Sequence, residues 1–381
     1  MNSRTDRGSF AAWWWTIDTT ALVLMLALIM IGLALAFAAS PAATGSLMMA
    51  GDFRYAAKQV LFAIIAAGIL GGASLLSLQQ IKIVAAVVFA LSLIGTALVL
   101  VIGTEVLGAK RSIELGLFSL QPSEFLKPSF AVLAAAIITD RNPMPLPKPL
   151  ITFLLIVPAM ALLLMQPDVG QTTLLLVLWG ALLFFSGVSF VWMAALGGGA
   201  MGLGLFAYTF FGHVRHRIDQ FLNEGTGYQT GLALKAFAHG GLLGVGPGAG
   251  TVKYRLPEAH SDFIFAVAGE EFGVILCAVI AILFCLLTVR LLLRSASQRD
   301  RFSQLAGAGL AIVAGVQAFI NMGVAVSLLP AKGMTLPFIS YGGSSLFAVA
   351  LTMGFALAVT RQRPQLAQRE QSLFEALGAR A

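Results

Sequence analysis

Charge is what this chain has least of. Asp, Glu, Lys and Arg make up only 11% of its 381 residues, against 58% hydrophobic. Mean hydropathy is +0.89. A water-soluble domain has no use for so much apolar surface, so composition excludes that class and implies a polytopic membrane protein. Cysteine is also scarce. Cys277 and Cys285 stand eight residues apart on one expected helix, with backbones roughly 12 Å apart. An intramolecular disulfide would break that helix, so both read as packing residues. Histidine occurs four times. His213-x-x-His216 has metal-ligand spacing but no third ligand nearby, which argues against zinc. Gly244-Val-Gly-Pro-Gly-Ala-Gly250 lacks the Lys-Ser/Thr of a phosphate-binding P-loop, and no strand precedes it. It reads instead as a flexible loop letting backbone approach a substrate. Net charge is a modest +7. Arg290, Arg294, Arg299 and Arg301 cluster where an apolar run ends. That favours a cytoplasmic loop beside anionic lipid over a nucleic-acid site.

What is present is a series of apolar runs. Measured against a span of roughly 20 residues, ten helices are expected, near 19–40, 57–77, 82–103, 124–139, 149–166, 170–187, 189–210, 262–292, 304–329 and 342–361. The fold class is therefore all-α, a single membrane domain over 1–381 with one long extracytoplasmic loop at 211–261. Internal repeats and separable soluble domains are not evident. Arg4 and Arg7 precede the first run and Ala36-Phe37-Ala38 mimics a cleavage site. That run is long enough to span, however, so a cleaved signal peptide is not expected. Trp13, Trp14 and Trp15 stand where an interfacial aromatic belt would lie. Ten spans place both termini on one side. With the N-terminus inside, 13 Lys and Arg fall inside and 11 outside, five of these in the long loop. Short loops govern orientation, so residues 1–18 and 362–381 are expected in the cytoplasm.

With that topology most acidic residues gather at the outer side. Asp262 opens the eighth span. It reads either as a helix N-terminal acid with Ser261 as cap, or as a carboxylate at a cavity mouth able to take a proton from a sugar hydroxyl. Glu270 lies about 12 Å deeper along that helix. Glu271 lies on the opposite face, and two adjacent acids cannot both face lipid cheaply. Ser123 is a candidate cap for the fourth helix, whose first turn pairs Glu124 with Lys127 at i, i+3. That pair is either structural or holds Lys127, with Arg111 and Glu114 nearby, against the phosphates of an anionic lipid. Asp168 and Gln171 sit at the turn before the sixth span, where capping competes with a binding role. Lys253, Arg255 and His260 make the end of the long loop cationic. Lys332 adds another outer cation.

Several ordered blocks together resemble one family. Gln121-Pro-Ser-Glu-Phe-Leu-Lys127, Gln166-Pro-Asp-Val-Gly170, Gly244-Val-Gly246, Leu256-Pro-Glu-Ala-His-Ser-Asp-Phe-Ile-Phe265 and Leu336-Pro-Phe-Ile-Ser-Tyr-Gly-Gly-Ser-Ser345 look like those of the SEDS family of cell-wall glycan polymerases. The resemblance runs from the first span to the tenth. Leu329-Pro-Ala-Lys-Gly-Met-Thr-Leu-Pro337 is closer to the cell-division branch than to the elongation branch, and the Trp13–Asp18 start looks alphaproteobacterial. Ser261 stands where Thr is common in the family.

The resemblance implies an inverting peptidoglycan glycosyltransferase of the inner membrane, acting on lipid II at the periplasmic face. Asp262 becomes its catalytic base. Arg111, Lys127, Lys332 and the 253–255 cations become candidates to receive the departing pyrophosphate. A divalent cation (Mg or Mn) is compatible with that chemistry, and no other cofactor is implied. The implied partners are a class B penicillin-binding transpeptidase and other membrane proteins of the division machinery, with no nucleic acid. A lipid II flippase or a non-catalytic scaffold is the competing expectation. The distribution of polar residues speaks against a flippase, which needs a polar path through both leaflets.

Overall fold

The computed structural model describes residues 9–43, 53–106, 109–116, 118–166, 168–212, 215–216, 219, 227–330 and 333–361. Twelve helices lie among them: α1 (Ser9–Thr16), α2 (Thr19–Ala43), α3 (Arg54–Leu75), α4 (Leu78–Ile102), α5 (Ser123–Thr139), α6 (Lys148–Met165), α7 (Val169–Phe185), α8 (Phe190–Phe210), α9 (Tyr228–Gly240), α10 (Ile264–Ala296), α11 (Arg301–Ala325) and α12 (Gly343–Thr360). Each of the ten expected spans coincides with one of α2–α8 or α10–α12. Seven of these are long and apolar enough to cross a membrane by themselves: α2, α3, α4, α6, α10, α11 and α12. A small antiparallel sheet interrupts the all-α plan between α4 and α5. Its strands, β1 (Thr104–Val106), β2 (Ala109–Glu114) and β3 (Ser119–Leu120), pair in sequence order.

Helix α12 runs through the middle, buried along nearly its whole length, with α11 beside it. Small residues bring α12 against α3. A Cβ at Gly354 would lie 2.5 Å from Ala73 Cβ and 2.9 Å from the Leu70 carbonyl. Close backbone approach of this kind holds helices together where lipid removes the hydrophobic drive between them. The outer helices turn apolar residues such as Ile64, Leu91, Ile94 and Val101 outward. Buried hydroxyls return their hydrogen to their own helix, as Thr352 does to the Ala348 carbonyl and Thr360 to that of Ala356. At the far end from the sheet, Arg290 and Arg294 both bond the Asp18 carboxylate, at 2.9 and 2.7 Å. Asp18 also caps α2 through the Ala21 amide. Half of the arginine cluster is thus spent on tying α10 to α2.

Helix α10 is broken. Gly273 has φ 79° and ψ 176°, a conformation open essentially to glycine alone. The turn after α9 fills the gap. Val245 and Gly246 donate to the carbonyls of Glu270 and Glu271, while Val274 donates to that of Gly241. The wedge satisfies backbone groups that lipid could not. Cβ atoms at Gly240, Gly244 or Gly273 would collide with the opposing backbone. This corrects the reading of Gly244–Gly250 as a flexible substrate loop, because its first glycine is a packing residue against α10.

Two buried carboxylates pin the wedge. Glu270 accepts from the amides of Thr251, Val252 and Lys253 at 2.7, 2.7 and 2.9 Å, and its Oε1 lies 2.9 Å from His239 Nδ1. Glu271 pairs with Lys253 Nζ, which also donates to the Ala38 carbonyl at 2.8 Å. Both acids therefore face protein, as their cost in lipid demanded.

Candidate active site

A cavity of about 540 Å³ opens beside the small sheet. Strand β2 contributes Arg111 and Glu114, the first turn of α5 contributes Glu124, and the start of α9 contributes Tyr228 to Thr230. The turn before α10 brings Glu258, His260, Ser261 and Asp262, and the segment before α12 brings Gly333, Thr335 and Tyr341 to Ser345. Five of the sequence candidates thus line one space: Arg111, Glu114, Glu124, His260 and Asp262.

Asp262 does not cap α10. The cap position is Phe263 and has no side-chain bond, and the Ser261 hydroxyl turns back to Glu258 Oε2 at 2.6 Å. The reading of Ser261 as cap is therefore corrected, while Asp262 stays just outside the helix N-terminus. The segment 334–341 holds the turn instead. Ser340 donates its hydroxyl hydrogen to the Ser261 carbonyl at 2.5 Å and accepts from the Leu336 amide. Tyr341 N donates to the His260 carbonyl at 2.9 Å. Glu258 has φ 54°, an uncommon conformation for its residue type.

Gly333, at φ 61°, sits between the opposite charges of the cavity. A Cβ there would lie 2.9 Å from Arg111 Nη1 and 3.4 Å from Asp262 Oδ2. Burial pushes the Asp262 carboxyl up to about 7, and Glu258 pushes the same way. Arg111 opposes them, while Asp168 and Glu124 add to the rise. Burial lowers the His260 imidazole, with Glu258 opposing. It raises the Tyr341 phenol to about 12, so that hydroxyl stays protonated.

Behind the cavity runs a polar chain. Asp168 caps α7 by accepting from Gln171 N at 3.2 Å, and its second oxygen lies 4.0 Å from Arg111 Nε. Burial raises the Asp168 carboxyl against the pull of Arg111. Gln171 donates to Glu124 Oε1 at 2.5 Å. Lys127 Nζ donates to Glu124 Oε2 at 2.6 Å and to Gln317 Oε1 at 2.7 Å. Gln317 donates onward to the Thr335 carbonyl at 3.0 Å. Lys127 is buried behind Glu124 and does not line the main cavity. Ser123 does not cap α5; Pro122 holds that position, and the Ser123 hydroxyl is buried without a hydrogen-bond partner.

Two cations expected at the site are not brought to the cavity. Lys253 is buried against Glu271, and Arg255 is exposed outside the lining. Lys332 lies outside the described residues, as does His213 of the His-x-x-His pair. Among the described residues no three metal-ligating side chains cluster. Sequence reasoning passed over Glu258, Tyr341, Gln317 and Asn321 as site residues. For the last two a signal existed: two amides at i, i+4 on one face of an apolar span.

Comparison with known proteins agrees with this architecture. Residues 19–365 match a family model described as cell cycle protein, the FtsW/RodA/SpoVE family. The probable peptidoglycan glycosyltransferase FtsW of Caulobacter vibrioides is 40% identical over 370 residues, covering 95% of this chain and 94% of that protein. The one of Coxiella burnetii is 34% identical, covering 91% and 96%. Among solved structures, a chain from a peptidoglycan synthase complex that coordinates polymerization and crosslinking superposes with TM-score 0.74 at 26% identity, covering 90% of this chain and 97% of that one. The rod shape determining protein RodA of Thermus thermophilus superposes with TM-score 0.67 at 26% identity, covering 91% and 97%. With the match spanning nearly every helix, this chain belongs to the FtsW/RodA/SpoVE family, the SEDS family of multi-pass membrane proteins.

Proposed function

We propose that the protein is a peptidoglycan glycosyltransferase that polymerises lipid II during septal wall synthesis, with Asp262 as general base. The observation that carries this reading is a carboxylate near neutrality facing Arg111 across Gly333 in a cavity. A base works best with a pKa near the operating pH. In the reaction Asp262 takes the proton of the acceptor's terminal GlcNAc 4-hydroxyl. The oxygen attacks the anomeric carbon of the donor MurNAc from the face opposite the leaving group. The new C–O bond forms as the bond to the pyrophosphate breaks, and the lipid pyrophosphate leaves with the electron pair. Arg111 stabilises the charge that develops there. Lys127 acts through Glu124 and the polar chain. A divalent cation arriving with the pyrophosphate would add positive charge.

The substrate also accounts for the placement of the cavity at one end of the bundle, since a lipid tail must stay in the bilayer while its headgroup reacts outside. The proposed setting is the cell inner membrane, with both termini cytoplasmic and the cavity periplasmic. The proposed partner is a class B penicillin-binding transpeptidase, with other division proteins around it. Purified protein with its cognate transpeptidase is expected to make glycan from labelled lipid II, and a folded Asp262→Asn variant none. Equal product from both would remove Asp262 from the chemistry. No product from either, with a verified active complex, would favour a flippase or scaffold.

A further inference from the structure

We infer that Asn321, near the C-terminal end of α11, is the positioning residue that sets the Asp262 carboxylate against Arg111. The inference rests on the reading of Asp262 as the base. Asn321 is buried, and its Nδ2 donates twice, to the Asp262 carbonyl at 2.7 Å and to the Met334 carbonyl at 2.6 Å. Both partners only accept, so the orientation of the amide is fixed by them. Its Oδ1 is buried without a hydrogen-bond partner. A buried polar atom left unpaired is costly. An apolar side chain of similar size would avoid that cost, so the residue is explained by its two donations.

Those donations join the two backbones that define the site. One carries the base. The other begins at Gly333, which stands between Arg111 Nη1 and Asp262 Oδ2. Ser340 and Tyr341 hold Ser261 and His260, whereas Asn321 holds Asp262 itself. One turn earlier on α11, Gln317 accepts from Lys127 and donates to the Thr335 carbonyl. Helix α11 thus acts as a ruler. Its two amides fix the 333–335 segment between the acidic turn on one side and the α5 ion pair on the other.

The reaction needs that spacing because base and cation act at opposite ends of the same displacement. A shift of about 1 Å in such a geometry costs on the order of 100-fold in rate. Asn321 does not line the cavity. Its loss should therefore spare substrate binding and act on turnover.

The test uses the full chain with its transpeptidase and measures lipid II polymerisation by Asn321→Leu, which keeps the volume and removes both donors. Asn321→Ser, with room for a bridging water, serves if the leucine variant aggregates. The expected result is a kcat lower by about 100-fold for the leucine variant, and by less for serine, with KM close to wild type and a melting temperature that falls only modestly as the two carbonyls lose their donor. A folded variant of either kind with wild-type kcat overturns the inference. So does a raised KM with kcat unchanged, because that would make Asn321 a binding residue. Asp262→Asn is run alongside. If it polymerises normally, the reading of the base has failed; if it is inactive while the Asn321 variants turn over normally, only the positioning role has failed.

Discussion

Asp262 owes its character to its setting in the protein and to the like charges around it. Burial and Glu258 raise its carboxyl to about 7, and only Arg111 opposes them among the groups that act on it most strongly. Ionised Asp262 is the working form, so polymerisation should rise with pH through about 7. Replacing Glu258 by Gln removes a repelling charge, so the midpoint of that rise should move to lower pH. A pH–rate profile of the variant checks this, and an unmoved midpoint would dissociate the two carboxylates. Gly333 offers a second test. Any L-residue there must take a left-handed conformation, at roughly 1–2 kcal/mol, and its Cβ would press on Arg111. Gly333→Ala is expected to lose most activity while remaining folded, measured as kcat/KM beside a melting curve.

Helix α10 shows how an element can be built from two segments distant in the chain. Its break at Gly273 is stable because the turn after α9 supplies the missing backbone partners. Gly273→Ala would put a Cβ into the Leu242 carbonyl in a conformation alanine rarely adopts. A lower melting temperature in detergent is expected, by the equivalent of about 3 kcal/mol. The Lys253–Glu271 pair allows a sharper experiment. Lys253→Met leaves Glu271 buried with the Gly248 amide as its remaining partner, a loss on the order of 3–5 kcal/mol. The double variant Lys253→Met, Glu271→Met should recover most of that stability. If the single and double variants melt alike, the pair is not what holds the wedge.

At the scale of the molecule, polarity is distributed unevenly along the bundle. The carboxylates of the cavity and Arg111 lie at the end that carries the small sheet, whereas the Asp18, Arg290 and Arg294 cluster closes the other end. Between them the central α12 is lined with apolar and small side chains. A site open at one end suits an enzyme that works on a lipid-anchored headgroup better than a conduit through both leaflets. The topology proposed for it has a direct consequence. In a background without Cys277 and Cys285, a cysteine at Arg255 should react with an impermeant thiol reagent in cells with a permeabilised outer membrane. One at Gln298 should react only after the inner membrane is opened. The reverse pattern would invert the proposed orientation.

The ten helices expected as spans were legible in the sequence because hydropathy over about 20 residues is a local property. The blocks around Glu124, Asp168, Asp262 and Tyr341 were equally visible, since each is a short polar interruption at the end of an apolar run. Local sequence could not say which of the candidate cations reach the cavity. Arg111 does, on a strand paired within the small sheet, while Lys253 is drawn away by Glu271, 18 residues along the chain. Nor could it show that Gly244 packs into a helix break, or that Asn321 bonds the backbone of Asp262, 59 residues away. These assignments depend on which helices lie side by side. Packing of the whole bundle decides that, and hydrophobic periodicity along one segment does not encode it.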